Sequence, residues 1–138
     1  MNNSTPPSLA PSAQPAGRSD RHFIVGRDGE VTACLFLQNL GYSIVGRNVR
    51  IGSHDEIDII AYDPEDEVIV FVEVKSRSKF SEYQPVKNAT RTKRLSMMRA
   101  ARLWIAHRNW DGGYRMDLVS VANGQVTEHI VELPWRSR

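Results

Sequence analysis

The stretch EIDIIAYDPEDEVIVFVEVK, Glu56 to Lys75, decides the predicted fold because it has the pattern of two strands joined by a turn. Both runs are rich in β-branched residues, and the intervening DPEDE has the composition of a turn. Pairing Asp63 with Val68 makes a hairpin in which Asp58 lies directly opposite Glu73. Facing like charges destabilise a sheet, so a carboxylate pair at this position predicts a bound cation.

Strand alternation assigns the residues of this stretch to faces. In the first strand it predicts one face with Glu56, Asp58 and Ile60. The opposite face is predicted to carry Ile57, Ile59 and Ala61. In the second strand Lys75 lies two residues after Glu73 and therefore on the same face. An ammonium beside a metal-bound carboxylate can orient a water or stabilise charge on a reacting phosphate, which makes Lys75 a candidate catalytic group.

Two helices are predicted around these strands. Residues 21–40 have helical spacing and end before Gly41, with a predicted apolar face of Val31, Cys34, Leu35 and Leu37. A basic helix is predicted from Pro85 or Val86 to His107, with a mixed stripe of Leu95, Met98, Arg102 and Ile105 beside Leu103 and Trp104. Gly26 and Gly29 would let the first helix approach a sheet closely.

Three further strands complete the predicted architecture. YSIVGRNVRI precedes the hairpin, and YRMDLVSV and VTEHIVEL follow the basic helix. Asn123-Gly124, between the last two strands, is a strong hairpin signal. The order of helix, three strands, helix and two strands predicts an α/β fold with a mixed central β-sheet flanked by helices.

Length and composition indicate a single domain in a chain of 138 residues. We predict a disordered Pro/Ser-rich tail at residues 1–20, one domain at 21–134 and a C-terminal tail at 135–138. No apolar run approaches the roughly 20 residues of a membrane helix, and the N-terminal segment has no signal-peptide h-region. With the single cysteine, Cys34, expected to be a buried thiol, these features predict a cytoplasmic protein without membrane contact.

Charge is distributed unevenly along the chain. Residues 55–73 hold eight acidic residues and no Lys or Arg, whereas residues 84–110 hold seven Lys or Arg and no acid. This arrangement suits a protein that handles a polyanion through bound cations, with phosphates meeting a helix that carries Lys87, Arg91, Lys93 and Arg94. A solvated helix face explains the basic residues equally well on charge alone.

Glu30 is a third candidate acid, found by its helical position. It lies one turn before Cys34 and two before Leu37, so it projects from the apolar side of the first helix toward the sheet. On spacing alone, a glutamate at the edge of a helix face is an equally weighted alternative.

These residues carry a resemblance to known nucleases. Asp58 followed by Glu73-Val-Lys75 resembles the PD-(D/E)xK signature of restriction-endonuclease-like enzymes, and Glu30 resembles the extra acid of Holliday junction resolvases and RecB-like nucleases. More closely, GRDGEVTACLFLQNLGYSIVGRNVR, EIDIIAYD, VIVFVEVKSRS and YRMDLVSV resemble the YraN family of small bacterial proteins, whose function is largely undetermined. The similarity runs from Gly26 to Leu133 and implies a restriction-endonuclease-like fold.

The resemblance also implies roles for individual residues. It implies ligands of Mg²⁺ or Mn²⁺ at Glu30, Asp58 and Glu73. It implies a catalytic lysine at Lys75 and substrate-contacting groups at Gln84 and Lys93. One departure is Asp55, which stands where we expect a glycine before the Glu-Ile-Asp triplet.

Three functions remain open from the sequence. The favoured one is a metal-dependent nuclease that hydrolyses phosphodiester bonds of nucleic acid, with branched DNA as a candidate substrate. The second is a non-catalytic nucleic-acid-binding module of the same fold, and the third is a structural domain whose acids are solvated. A complete set of acids and lysine favours the first over a decayed site. The sequence distinguishes neither DNA from RNA nor a monomer from a homodimer.

Overall fold

The computed structural model describes residues 20–52, 55–77 and 87–131, and the side chains within 29–52, 55–76 and 91–131. Seven elements follow one another: α1 Asp20–Asn39, β1 Ser43–Ile51, β2 Asp55–Asp63, β3 Val68–Arg77, α2 Lys87–Arg108, β4 Gly113–Ala122 and β5 Gln125–Ile130. All seven were predicted, and β5 ends earlier than its sequence pattern suggested. The predicted tails, apart from Asp20 at the start of α1, lie outside the described residues.

The five strands form one mixed sheet in the order β1-β2-β3-β4-β5. Neighbouring strands are antiparallel except β3 and β4, which run parallel. A parallel pair cannot be joined by a tight turn, and α2 lies in the crossover between these two strands. The predicted α/β class and mixed sheet are therefore confirmed.

Turn residues set the register of both hairpins. In the first, Asp63 pairs with Val68, as predicted, and the ladder continues to Ile59 opposite Val72. In the second, Ala122 pairs with Gln125 around Asn123 and Gly124, whose φ angles of 53° and 74° suit a two-residue hairpin loop.

One helix covers each face of the sheet. On one face, Ala33, Cys34 and Leu37 of α1 pack in a cluster with residues such as Ile59 and Val72. On the other face, α2 supplies the core residues Met97, Met98, Ala100, Ala101 and Trp104, which pack with residues of β2 and β3. The strands of the sheet therefore contribute apolar residues to two core layers, one beneath each helix.

The buried faces of both helices differ from the predicted ones. On α1, Val31 and Leu35 are 44% and 57% exposed, and Ala33 is buried in their place. On α2, the predicted stripe residues Leu95 and Arg102 are exposed, as is Leu103. Small alanines among the sheet-facing residues let each helix axis come close to the sheet. No helix among the described residues is long and apolar enough to cross a membrane.

Gly29 lies where α1 approaches β3 closely. A Cβ atom built on Gly29 would overlap the Ser76 hydroxyl and lie 3.7 Å from Val74 Cγ1. The predicted close approach is confirmed there, whereas the surroundings of Gly26 lie outside the described side chains. Glu30, the next residue of α1, is thereby positioned near the C-terminal half of β3.

Candidate functional site

Asp58 and Glu73 lie just beyond the last pair of the β2–β3 ladder. The β2–β3 ladder ends at Ile59 opposite Val72, and one residue further Asp58 Oδ2 accepts a hydrogen bond of 2.9 Å from the Val74 backbone N–H. The Asp58 carboxylate thus accepts a hydrogen bond from a backbone N–H of β3 at the place where the ladder ends. The predicted pairing of Asp58 with Glu73 is not part of the β2–β3 ladder, but the two carboxylates lie near enough to each other for Lys93 Nζ to be within 4.0 Å of both.

The end of this ladder also explains a wrong face assignment in β2. Alternation placed Ile57 with Ile59 and Ala61, but Ile57 packs in the α2-side cluster together with Ile60. Strict period-two alternation requires a regular strand, and the local conformation changes around Asp58 as β2 leaves β3.

Glu73 is the more deeply buried member of the pair. It is 1% exposed, and its Oε1 atom is buried and accepts no hydrogen bond from the described residues. A buried carboxylate oxygen without a donor is costly, because such a charge is normally paired, hydrogen-bonded or bound to a metal. Of the two acids, Glu73 therefore has the stronger requirement for a cation.

Lys93 of α2 supplies positive charge to both carboxylates. Its Nζ atom lies 3.8 Å from Asp58 Oδ2 and 4.0 Å from Glu73 Oε2. Both distances are longer than a charge-assisted hydrogen bond, and the lysine side chain is 51% exposed. The ammonium therefore neutralises the pair only in part.

Asp55 fixes α2 above this site. Its Oδ1 atom accepts a hydrogen bond of 2.6 Å from Ser96 Oγ and one of 3.2 Å from Arg99 Nη2, and its Oδ2 accepts one of 3.3 Å from Arg99 Nε. Ser96 lies three residues after Lys93 on the same helix, so the two project from neighbouring positions. Asp55, which stands where the resemblance led us to expect a glycine, thus links the start of β2 to the helix that carries Lys93.

Lys75 and Glu30 lie on elements that flank the pair. Lys75 is half-buried in β3, opposite Ser120 in the parallel ladder, and by alternation shares a face with Glu73. Glu30 is half-buried on α1. Among the described residues, no group of three or more His, Cys, Asp or Glu could hold a metal ion. The structure places Asp58 and Glu73 beside the same lysine, and the predicted roles of Glu30, Asp58 and Glu73 as metal ligands stay predictions.

The predicted phosphate-binding residues fall partly within the described structure. Arg91 and Lys93 are exposed, while Arg94 is half-buried and its Nε atom is buried with no hydrogen-bond partner in the described part of the chain. The backbone of Lys87 begins α2, but its side chain lies outside the described set, as does all of Gln84.

A buried ionic network, which the sequence analysis missed, lies on the α1 side of the sheet. Arg115 Nε donates to Asp117 Oδ1 at 3.0 Å, Nη1 donates to Asp63 Oδ2 at 3.1 Å, and Nη2 donates to the Tyr42 hydroxyl oxygen at 2.6 Å. Asp117 is fully buried, and its Oδ2 lies 2.9 Å from His129 Nε2. The network joins β2, β4 and β5 to Tyr42, the residue just before β1.

The electrostatics of this network keep Arg115 charged. Burial alone would lower the pKa of the guanidinium, but the hydrogen bond and charge of Asp117 raise it above its ordinary value. Burial likewise raises the pKa of the Tyr42 phenol, and the Arg115 charge offsets only part of that effect. The spacing of Arg115 and Asp117, on the same strand face as Val119 and Val121, was a usable signal of buried charge in YRMDLVSV.

Three known proteins are similar to this chain over most of its length. The UPF0102 protein of Oleidesulfovibrio alaskensis is 42% identical over 107 residues, which cover 77% of this chain and 52% of that protein. The UPF0102 protein of Nitratidesulfovibrio vulgaris strain DP4 is 39% identical over 117 residues, covering 82% and 85%. The UPF0102 protein of Cytophaga hutchinsonii is 34% identical over 112 residues, covering 81% and 96%. The chain thus spans about half the length of the Oleidesulfovibrio relative.

The family profile gives the same result. The profile described as Uncharacterised protein family UPF0102 matches residues 29–121, from the close approach of α1 to the end of β4. This range includes Glu30, Asp58, Glu73, Lys75 and Lys93. The chain belongs to the UPF0102 family, which is also called the YraN family.

Proposed function

We propose that this UPF0102 protein is a divalent-metal-dependent nuclease with a restriction-endonuclease-like fold, which hydrolyses phosphodiester bonds of nucleic acid. The observation that carries the proposal is that the Asp58 and Glu73 carboxylates both lie within 4.0 Å of Lys93 Nζ, while Glu73 Oε1 is buried and accepts no hydrogen bond within the described residues. Binding a cation would remove the cost of that oxygen.

The two carboxylates fit a hard cation such as Mg²⁺ or Mn²⁺. Such ions prefer oxygen ligands, and Mg²⁺ is commonly bound through one or two carboxylates together with waters and substrate phosphates. Asp58 and Glu73 would hold the ion, and Glu30 is the proposed third acid. When bound, the ion supplies positive charge to a phosphate oxygen and acidifies a water.

The remaining chemistry would come from basic residues of the chain. Lys75, on the same strand face as Glu73, would stabilise the negative charge that develops on the phosphate. Exposed Arg91 and half-buried Arg94 would hold the nucleic-acid backbone by its charge, which positions a strand without reading its sequence. The proposed substrate is therefore selected by its phosphates and shape, with branched DNA as the candidate.

A non-catalytic nucleic-acid-binding module is the second candidate function. It is favoured by Lys93, whose ammonium already lies within 4.0 Å of both carboxylates. A pair that is permanently neutralised by a lysine would need no metal, while the basic face of α2 would still attract phosphates.

Metal-dependent cleavage is the test that separates these candidates. The purified protein is expected to cut a flapped or four-way DNA junction in Mn²⁺, and EDTA is expected to stop the reaction. Labelled products would be resolved on denaturing gels beside a linear duplex and an RNA duplex of the same sequence. The matched control is Glu73→Gln, which keeps the side-chain shape and is expected to lose cleavage. If wild type is inert on every substrate yet binds them, the binding-module candidate replaces the nuclease.

A contact between α2 and phosphates predicts a change in salt dependence. Arg91→Ala should weaken DNA binding equally on all sequences and reduce the slope of log K against log salt concentration by about 0.9. Arg108→Ala is the control, because its guanidinium lies over the Trp104 ring at the other end of the helix, 4.9 Å from the ring centroid. Fluorescence anisotropy at several salt concentrations measures both slopes. Equal slopes for Arg91→Ala and wild type would place the nucleic acid elsewhere.

A further inference from the structure

We infer that Lys93 is a built-in competitor of the divalent metal at the Asp58 and Glu73 pair, and that binding of nucleic-acid phosphates raises metal affinity by drawing this lysine away. The inference rests on the proposed function, because it requires a divalent cation at the pair. It goes further by giving the lysine a regulatory role that couples metal and substrate.

The competition follows from the oxygens that Lys93 contacts. Its ammonium lies 3.8 Å from Asp58 Oδ2 and 4.0 Å from Glu73 Oε2, and a cation held by both acids would need oxygens of these same two groups. A monovalent ammonium and a divalent ion at the pair would repel each other in a poorly solvated site. Binding of the metal to the two carboxylates is therefore weakened while the Lys93 ammonium stays beside them.

Lys93 can leave the pair at modest cost. Its side chain is 51% exposed, and neither contact is short enough to be a strong hydrogen bond. Lysine carries its charge on a flexible four-carbon stem, so the ammonium can turn into solvent without moving the helix. Exposed ion pairs of this kind are weak, which makes displacement by a divalent ion feasible.

The helix stays in place when the lysine moves because its anchor is separate. Asp55 binds Ser96 and Arg99 by three hydrogen bonds, and none of these involves Lys93. Met97 and Met98 of the same turn are buried in the core. Displacement is therefore confined to one side chain, which leaves the ammonium at the edge of the site.

This position couples the metal to phosphates. An ammonium displaced from the carboxylates lacks an anion, and a backbone phosphate held by α2 would supply one. Phosphate binding would in turn keep Lys93 away from the carboxylates and strengthen the metal site. By thermodynamic linkage, the metal must strengthen phosphate binding by the same factor.

Calorimetric titration of the full-length chain with Mn²⁺ tests the competition. Lys93→Gln is expected to bind Mn²⁺ about three- to tenfold more tightly than wild type, because the competing charge is gone. Arg91→Gln is the matched control, since it removes an equal charge from the same helix two residues away. Its affinity for Mn²⁺ is expected to stay within about twofold of wild type.

Thermal melts in EDTA provide a second readout that needs no metal binding. Lys93→Gln is expected to melt below wild type, because the two neighbouring carboxylates then lose the positive charge of Lys93, and Mn²⁺ should restore the loss. Arg91→Gln should have the same melting temperature as wild type in EDTA and in Mn²⁺. This pair of variants separates the effect at the carboxylates from a general loss of positive charge.

The outcomes distinguish the inference from the proposed function. Equal or weaker Mn²⁺ binding by Lys93→Gln would overturn the competitor role and leave the metal site intact. Absence of Mn²⁺ binding in wild type, Lys93→Gln and Arg91→Gln alike would overturn both. Tighter binding by Lys93→Gln alone, together with its lower melting temperature in EDTA, is the result that the inference requires.

Discussion

Arg115→Met is expected to lower the free energy of unfolding by about 3–5 kcal/mol, the range for removing one partner of a buried ionic network. Arg115 is 9% exposed and is the cation for Asp117 and Asp63, which are 0% and 6% exposed. Methionine fills much of the same space, so the loss comes from leaving buried carboxylates without their counter-ion rather than from an empty cavity.

A matched strand arginine makes this expectation specific. Arg50 in β1 is exposed, and Arg50→Met should change stability by no more than about 0.5 kcal/mol. Urea denaturation of the two variants and wild type would give the comparison. A loss of less than about 1 kcal/mol in Arg115→Met would show that water or rearranged partners replace the guanidinium.

Asp117 gives a sharper check through a double-mutant cycle. Asp117→Asn should destabilise wild type, where it weakens the contact with Arg115. In the Arg115→Met background the same change should stabilise the protein, because it removes a fully buried charge that has lost its arginine partner. A reversal of sign between the two backgrounds would identify the ion pair as the source of the effect. Equal effects in both would point to a different cause.

Local chemistry explains why the hairpin of β2 and β3 was predictable. The DPEDE turn fixes the pairing of Asp63 with Val68, and one correct pair fixes every other pair in a regular ladder. Helix boundaries were predictable for similar reasons, as the φ of 99° at Gly41 shows at the end of α1. These features depend on residues that are close together in sequence.

Packing across elements explains what the sequence could not show. The partners of Arg115 come from separate parts of the chain, and no spacing rule relates Tyr42, Asp63 and His129. The contact of Lys93 with the carboxylates depends on how far α2 is shifted along the sheet, which Asp55 sets through Ser96. From the sequence we predicted that Lys93 contacts phosphates, whereas in the structure its Nζ atom lies within 4.0 Å of the Asp58 and Glu73 carboxylates.

The family comparison supports the resemblance and leaves the chemistry to experiment. Membership of the UPF0102 family confirms the similarity recognised in the segments around Glu30, Asp58 and Glu73. The family is described as uncharacterised, so the nuclease proposal depends on the carboxylate pair and its neighbours. The most direct test of the nuclease proposal is to substitute a residue that is proposed to act in cleavage but not in binding.

Lys75→Ala is expected to reduce cleavage of a branched DNA in Mn²⁺ by at least about 100-fold, the size of effect seen when one charge-stabilising group is removed from an active site. Lys75 is half-buried and by alternation lies on the strand face of Glu73, where under the proposed function its ammonium would approach a phosphate held at the carboxylate pair. The loss should appear in the single-turnover rate, because the proposed role lies in the reacting state rather than in holding the strand.

Three measurements on Lys75→Ala make the result interpretable. DNA affinity by anisotropy should fall only slightly, since the basic face of α2 is unchanged, and Mn²⁺ affinity by calorimetry should be kept because Asp58 and Glu73 remain. A melting temperature near that of wild type would show that the fold is intact. Lys75→Arg should recover part of the rate, because it restores the charge with a different geometry. If Lys75→Ala cleaves as fast as wild type, the activity belongs to another site or to a contaminant, and Lys75 has no part in it.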